Sequence, residues 1–164
     1  MDPFGLTLVI LAAAYLLRDE ITTSSRQAER ETSNARTESQ QVSTELRGQV
    51  EGMRRKQALD VLYSARRQYI AKADTYYALK KEYGSRLHKL HADVDLLKSQ
   101  KRLFYSSGRH SDIPELKQKV DELYSVISQV NAAFKHYGIQ VQEFNAATSE
   151  IKRLIERYQP RRDA

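Results

Sequence analysis

The chain has 164 residues, of which 29% are charged and 40% hydrophobic, and it carries a formal net charge of +6. It contains no cysteine, which excludes a disulfide framework, a thiolate metal site and a thiol nucleophile. Only six glycines and three prolines interrupt it, and no segment has the alternating pattern of a strand, so the composition predicts an all-α protein.

The first predicted element is a hydrophobic N-terminal helix within residues 1–20. Asp2 and Pro3 are typical of a helix start, and Thr7 is the only polar side chain in residues 4–17. A helix without a polar face must be buried in lipid or in protein. We therefore expect a single-pass membrane anchor, although this run is shorter than the about 20 residues that usually span a bilayer. The anchor residues are Phe4, Leu6, Leu8, Val9, Ile10, Leu11, Tyr15, Leu16 and Leu17.

Three alternatives stay open for this segment: burial in protein, triggered insertion into a membrane, and cleavage as a signal peptide. A signal peptide normally has basic residues before its apolar stretch, whereas here Asp2 precedes it. The basic residues Arg18, Arg26, Arg30 and Arg36 follow it instead. The positive-inside rule then predicts that the C-terminal part of the chain is cytoplasmic.

A polar helical stalk is predicted for residues 21–57. Ala, Ser, Thr and a few aliphatic residues recur there in two series, each with a period of seven. Seams of small residues allow close backbone approach between copies, so we expect a homo-oligomer. A solvated helix or a flexible tether is the alternative. Gly48 and Gly52 indicate a bend at the end of the stalk. The predicted oligomer seam consists of Ile21, Ala28, Ala35, Val42 and Leu46.

Residues 58–164 are predicted to form an antiparallel coiled-coil hairpin. Two apolar seams of matching length are separated by a short turn, residues 105–112. In the expected register the numbers of facing residues add up to about 217, so that a small residue, Ala73, faces a large one, Phe144. The predicted fold class is therefore all-α, with an elongated antiparallel coiled-coil hairpin preceded by a long polar stalk and a short hydrophobic helix.

The sequence predicts no catalytic, cofactor or metal site. It has no nucleophile paired with a base, no glycine-rich phosphate loop and no carboxylate pair typical of a pocket. His88, His91 and Asp95 are close together on one helix, but they lie outside the seam and are assigned to solvated surface. We therefore expect a protein that is not an enzyme and needs no cofactor.

A basic interaction patch is predicted at the open end of the hairpin, where its first arm begins and its second arm ends. Such a patch can bind anionic head groups, an acidic protein face or nucleic acid. An ordinary solvated helix surface is the alternative. The patch consists of Arg54, Arg55, Lys56, Arg66, Arg67, Lys152, Arg153, Arg157, Arg161 and Arg162.

Together these elements predict a membrane-anchored coiled-coil structural or assembly protein that presents a helical hairpin to protein partners in a membrane-associated complex. One alternative is a membrane-active protein whose N-terminus inserts into a bilayer, as in fusion, lysis or pore formation. A second alternative is a basic coiled coil that binds nucleic acid. The expected partners are the membrane, other proteins and further copies of the chain through the stalk, and nucleic acid is less favoured.

Overall fold

The computed structural model describes the backbone of residues 3–160 and the side chains of residues 25–160. This part of the chain is helical and has no strand. The helices are α1 (Pro3–Val50), α2 (Arg55–Ser106) and α3 (Ile113–Tyr158), and a turn of 3₁₀ helix precedes α3. The predicted all-α class is confirmed, and α2 packs against α3.

Two glycines with left-handed backbone follow α1 and α2. Gly52 has a φ of 78° and Gly108 a φ of 76°, a region that glycine occupies without the strain of other residues. After Gly108, the amide of Arg109 donates to the carbonyl oxygen of Phe104 at 3.0 Å, which satisfies a carbonyl at the end of α2. The helices therefore break where the sequence predicted a bend and a turn.

The helices contribute to two compact units, which we call the first and the second unit. The first unit contains Lys81–Lys135 together with α1 as far as Ala28. The second unit contains Glu29–Lys80 together with the chain from His136 onward. Each unit thus contains residues from more than one of the three predicted segments.

In the first unit, the C-terminal half of α2 packs against the N-terminal half of α3. A Cβ added to Gly84 would lie 3.2 Å from the ring of Phe134, and Lys98 Nζ donates to Tyr124 Oη at 2.6 Å. Residues farther along α2 thus contact residues nearer the start of α3, as in an antiparallel pair. The buried side chains include Leu90, Val94, Leu97 and Phe104 of α2 and Ile113, Leu116, Val120 and Leu123 of α3.

In the second unit, all three helices share one core. The ring of Tyr76 stacks against Tyr137 and Phe144, with centroid distances of 6.2 Å and 5.6 Å. These two contacts lie on either side of the predicted register of α2 and α3. The core includes Ala35, Val42, Leu46 and Val50 of α1, Ala58, Leu62, Tyr69 and Ala73 of α2, and Phe144, Ala147, Ile151, Leu154 and Ile155 of α3.

The residues predicted to form an oligomeric stalk seam are buried within a single chain where the structure describes their side chains. Ala28, Ala35, Val42 and Leu46 are at most 8% exposed within a single chain. The last three of these belong to the core that α1 shares with α2 and α3. Small side chains allow helices to approach closely, whether the helices belong to one chain or to separate copies. Ala35, Val42 and Leu46 therefore lie inside the second unit, whereas Ala28 belongs to the first unit and Ile21 lies outside the described side chains.

Helix α3 has a second line of buried residues, and this line provides the surface against which α1 packs in the second unit. Besides the predicted seam, Gln140, Ala147 and Leu154 are at most 3% exposed and recur every seven residues. A hairpin of two helices buries a narrow seam on each arm, which would leave this line in water. In the second unit α1 covers it, and this changes a two-helix packing into a three-helix one.

Candidate functional site

Buried polar side chains connect α1 to α3 in the second unit. Gln140 Nε2 donates to Thr32 Oγ1 at 3.0 Å. The Thr32 hydroxyl lies 3.3 Å from His136 Nδ1 and 3.4 Å from the His136 carbonyl oxygen. Both Gln140 and Thr32 are at most 4% exposed. Because a buried amide or hydroxyl costs free energy unless it finds a partner, these bonds favour one register of α1 on α3.

A second polar contact repeats this arrangement farther along both helices. Ser39 Oγ donates to Glu143 Oε2 at 2.6 Å, and Arg36 Nε lies 3.7 Å from the other oxygen of the same carboxylate. Ser39 follows Thr32 by seven residues, as Glu143 follows His136. Partners on α1 and α3 thus advance in the same direction, so the two helices are parallel in this unit.

Two carboxylates of α1 accept hydrogen bonds from tyrosines of α2. Tyr69 Oη donates to Glu38 Oε1 at 2.8 Å, and Tyr76 Oη donates to Glu31 Oε2 at 3.2 Å. Lys72 Nζ also pairs with Glu38. Burial, reinforced by Glu38, raises the pKa of Tyr69 above its ordinary value. Burial and the charge of Glu31 raise the pKa of Tyr76. Both phenols therefore stay protonated donors at neutral pH.

These carboxylate partners were not among the residues predicted from the sequence. A signal for them was present, because Glu31 and Glu38 are seven residues apart, as are Tyr69 and Tyr76. Two heptad columns of complementary donors and acceptors on antiparallel helices can be aligned without a structure. The alignment would have placed α1 against α2 rather than against another copy of the chain.

An open cleft of about 550 Å³ lies between α1 and α2 in the second unit. Apolar side chains such as Val42, Leu46 and Val61 line it together with the carboxylates Glu45 and Asp60. Its lining contains no histidine, lysine or arginine that would activate a hydroxyl. Among the side chains of residues 25–160, no cluster of three histidines or carboxylates could hold a metal ion.

The predicted basic patch is partly assembled in the second unit. Arg55 Nε donates to the carbonyl oxygen of Tyr158, which brings the start of α2 to the end of α3. Arg153 pairs with Glu150 at 2.5 Å. Arg66 is half-buried, and its Nε has no hydrogen-bond partner among the described residues. These three members are therefore held by packing or by partners.

The other described members of the patch are exposed, and none of them forms an ion pair within residues 25–160. Arg54 directly precedes α2, Lys56 and Arg67 lie in the first four turns of α2, and Lys152 and Arg157 lie in the last two turns of α3. Arg161 and Arg162 lie outside the described residues. The exposed members are Arg54, Lys56, Arg67, Lys152 and Arg157.

The predicted membrane anchor forms the first turns of α1. Its residues, Phe4 to Leu17, have side chains that lie outside the described ones. Within the part of the chain that the structure describes, no helix is long and apolar enough to cross a membrane.

No protein family model, curated protein or solved structure matches this chain. Its role must therefore be inferred from its own residues. The most informative of them lie on α1, because this helix contains both the apolar N-terminal segment and the polar side chains that bind α2 and α3.

Proposed function

We propose that this protein is a membrane-anchored structural or assembly protein that presents its helices to protein partners in a membrane-associated complex. The continuity of α1 supports this proposal, because one helix runs from Pro3 to Val50. The apolar segment at residues 4–17 and the polar contacts at Thr32 and Ser39 thus belong to the same helix. With the apolar segment in lipid, the second unit would be tied to the membrane without a disordered linker.

The finer architecture that we propose is an antiparallel coiled-coil hairpin of α2 and α3. Its support is the spacing of the buried positions, which are mostly three or four residues apart on α3 and mostly three, four or seven apart on α2. The ring contacts of Tyr76 with Tyr137 and Phe144 agree with antiparallel arms. A hairpin of this kind presents long helical faces and no reaction centre, which suits a scaffold or spacer better than an enzyme.

The proposed location is a membrane, with the C-terminal part of the chain in the cytoplasm. The basic residues after the apolar segment support this orientation. Exposed basic side chains at Arg54, Lys56 and Arg157 would attract an acidic protein face or anionic head groups. We do not assign self-association to the α1 seam, because those residues pack within the chain.

Carbonate extraction of the full-length chain tests the anchor. The freshly synthesised protein should stay in the membrane pellet, and Ile10→Lys should release it. A lysine in the middle of a spanning helix costs about 2.5–3.5 kcal/mol on the insertion scale. Leu96→Lys is the matched control, because Leu96 is 50% exposed in the first unit, and this variant should remain in the pellet.

Two other results would replace the proposal with one of its alternatives. A chain that is extracted when newly made, and becomes carbonate-resistant only after a trigger such as acidification, would be a membrane-active protein. A chain that does not bind lipid but binds nucleic acid with a steep salt dependence would be the second alternative, a basic coiled coil that binds nucleic acid.

A further inference from the structure

An apolar column lies on the outer face of α2 in the second unit. Tyr63, Ile70 and Tyr77 are 37%, 36% and 59% exposed, and they follow one another at intervals of seven residues, which places them in one line along the helix. The neighbouring Tyr69 is 9% exposed and belongs to the core. The hydroxyl of Tyr63 also accepts a hydrogen bond from Gln159 Nε2 at 2.8 Å, just after the end of α3. Thus α2 carries one apolar column in the core of its own chain and a second, partly exposed one beside it.

A column of alternating charge runs beside the exposed apolar column. Arg67 follows Tyr63 by four residues and Asp74 follows Ile70 by four, so each lies next to its apolar neighbour on the helix surface. Both charged residues are exposed. Neither takes part in an ion pair among residues 25–160. The outer face of α2 therefore offers one positive and one negative group that the chain leaves to solvent.

The outer face of α2 is complementary to the same face of a second copy when the two helices are antiparallel. In an antiparallel pair related by a two-fold axis at Ile70, each Tyr63 faces the partner's Tyr77, and Ile70 faces its own copy. Each Arg67 then faces the partner's Asp74, which gives two opposite-charge contacts in every dimer. In a parallel pair the charged columns of the two copies would lie on opposite sides of the apolar column, so Arg67 and Asp74 would not meet.

We propose that the outer face of α2 is a homodimer interface, in which two copies of this chain pack antiparallel around Ile70. Such an interface is isologous, because the same patch serves both subunits. The proposal is independent of the membrane anchor, since it uses only exposed residues of the second unit. It also differs from the predicted stalk oligomer, which used residues that are buried within the chain.

A single cysteine tests the position of the two-fold axis in the full-length chain in mild detergent. The chain has no cysteine of its own, so Ile70→Cys introduces a unique thiol that faces its copy in the dimer. Mild oxidation should give a disulfide-linked dimer on a non-reducing gel. The control is Gln68→Cys, which is exposed on a different face of α2 and should crosslink at least about tenfold more slowly. Equal rates would contradict the proposal.

Charge exchange tests the orientation. Arg67→Asp creates two like-charge contacts per dimer, so its dissociation constant in sedimentation equilibrium should rise at least about tenfold. The double variant Arg67→Asp/Asp74→Arg exchanges the two charges and should restore dimerisation. Because both sites are exposed, helix content by circular dichroism should not change. A double variant as weak as the single one, or a single variant without effect, would overturn the antiparallel homodimer. Crosslinking of Ile70→Cys only to a different protein would do the same.

Discussion

Replacement of Ala35 by leucine is the sharpest perturbation of the three-helix packing. Ala35 is 2% exposed and belongs to the core formed by all three helices of the second unit. Leucine is nearly as good a helix former as alanine, so the substitution changes side-chain volume and little else. A larger side chain at this position must push α1 away from α2 and α3 or force neighbouring side chains out of their rotamers.

The expected cost follows from the close packing of this core. Inserting methylene groups into a packed site typically costs about 1–3 kcal/mol. For a chain of 164 residues, each kcal/mol corresponds to about 2–4 °C in the unfolding midpoint. The midpoint of Ala35→Leu should therefore fall by about 2–12 °C relative to the unchanged chain.

Thermal unfolding followed by far-UV circular dichroism measures this difference in the full-length protein. The matched control is Gln40→Leu, which places the same side chain at an exposed position of α1. An exposed substitution of this kind should change stability by less than about 0.5 kcal/mol. If Ala35→Leu unfolds at the same temperature as Gln40→Leu, Ala35 does not face a packed core and the placement of α1 is wrong.

Three further predictions use other features of the fold. Ser39→Ala removes a donor to a carboxylate of α3 and should destabilise the chain by about 1 kcal/mol in chemical denaturation. Gly138→Ala places its Cβ 3.5 Å from a flexible lysine side chain and should stabilise α3 by about 0.5–1 kcal/mol, whereas Gly108→Ala, at a φ of 76°, should destabilise the turn by about 1 kcal/mol. The pKa values of Tyr69 and Tyr76 are raised in the folded chain, so the folded state keeps these two protons to a higher pH than the unfolded state does. Their contribution is therefore complete below their ordinary pKa and should be lost as the pH rises above it, which an unfolding series at alkaline pH would detect.

Long helices and their breaks could be predicted from the sequence. The heptad spacing of α3 required a continuous helix, and its buried positions, such as Val120, Leu123 and Ile151, follow that spacing. Gly52 and Gly108 could be assigned to breaks because glycine is costly inside a helix and favourable with left-handed backbone. These features depend on local chemistry, which the sequence contains in full.

The placement of α1 could not be predicted with the same rule. Its two heptad series consist mainly of alanine, serine and threonine. These residues bury little apolar area and give no preference between a packing partner in the same chain and one in another copy. The decisive information is divided between helices that are distant in sequence. Thr32 requires Gln140, and Ser39 requires Glu143, and none of these residues is apolar enough to indicate burial alone.

Crosslinking between α1 and α3 tests the central claim most directly. Ser39→Cys/Glu143→Cys puts two thiols at positions whose native side chains form a 2.6 Å hydrogen bond, in a chain without other cysteines. A short bismaleimide should join the two thiols within one chain, and mass spectrometry of a mixture of isotopically labelled and unlabelled protein should find no mixed crosslinks. Crosslinks that join labelled to unlabelled chains would contradict the account, because α1 would then pack against another copy rather than against its own α3.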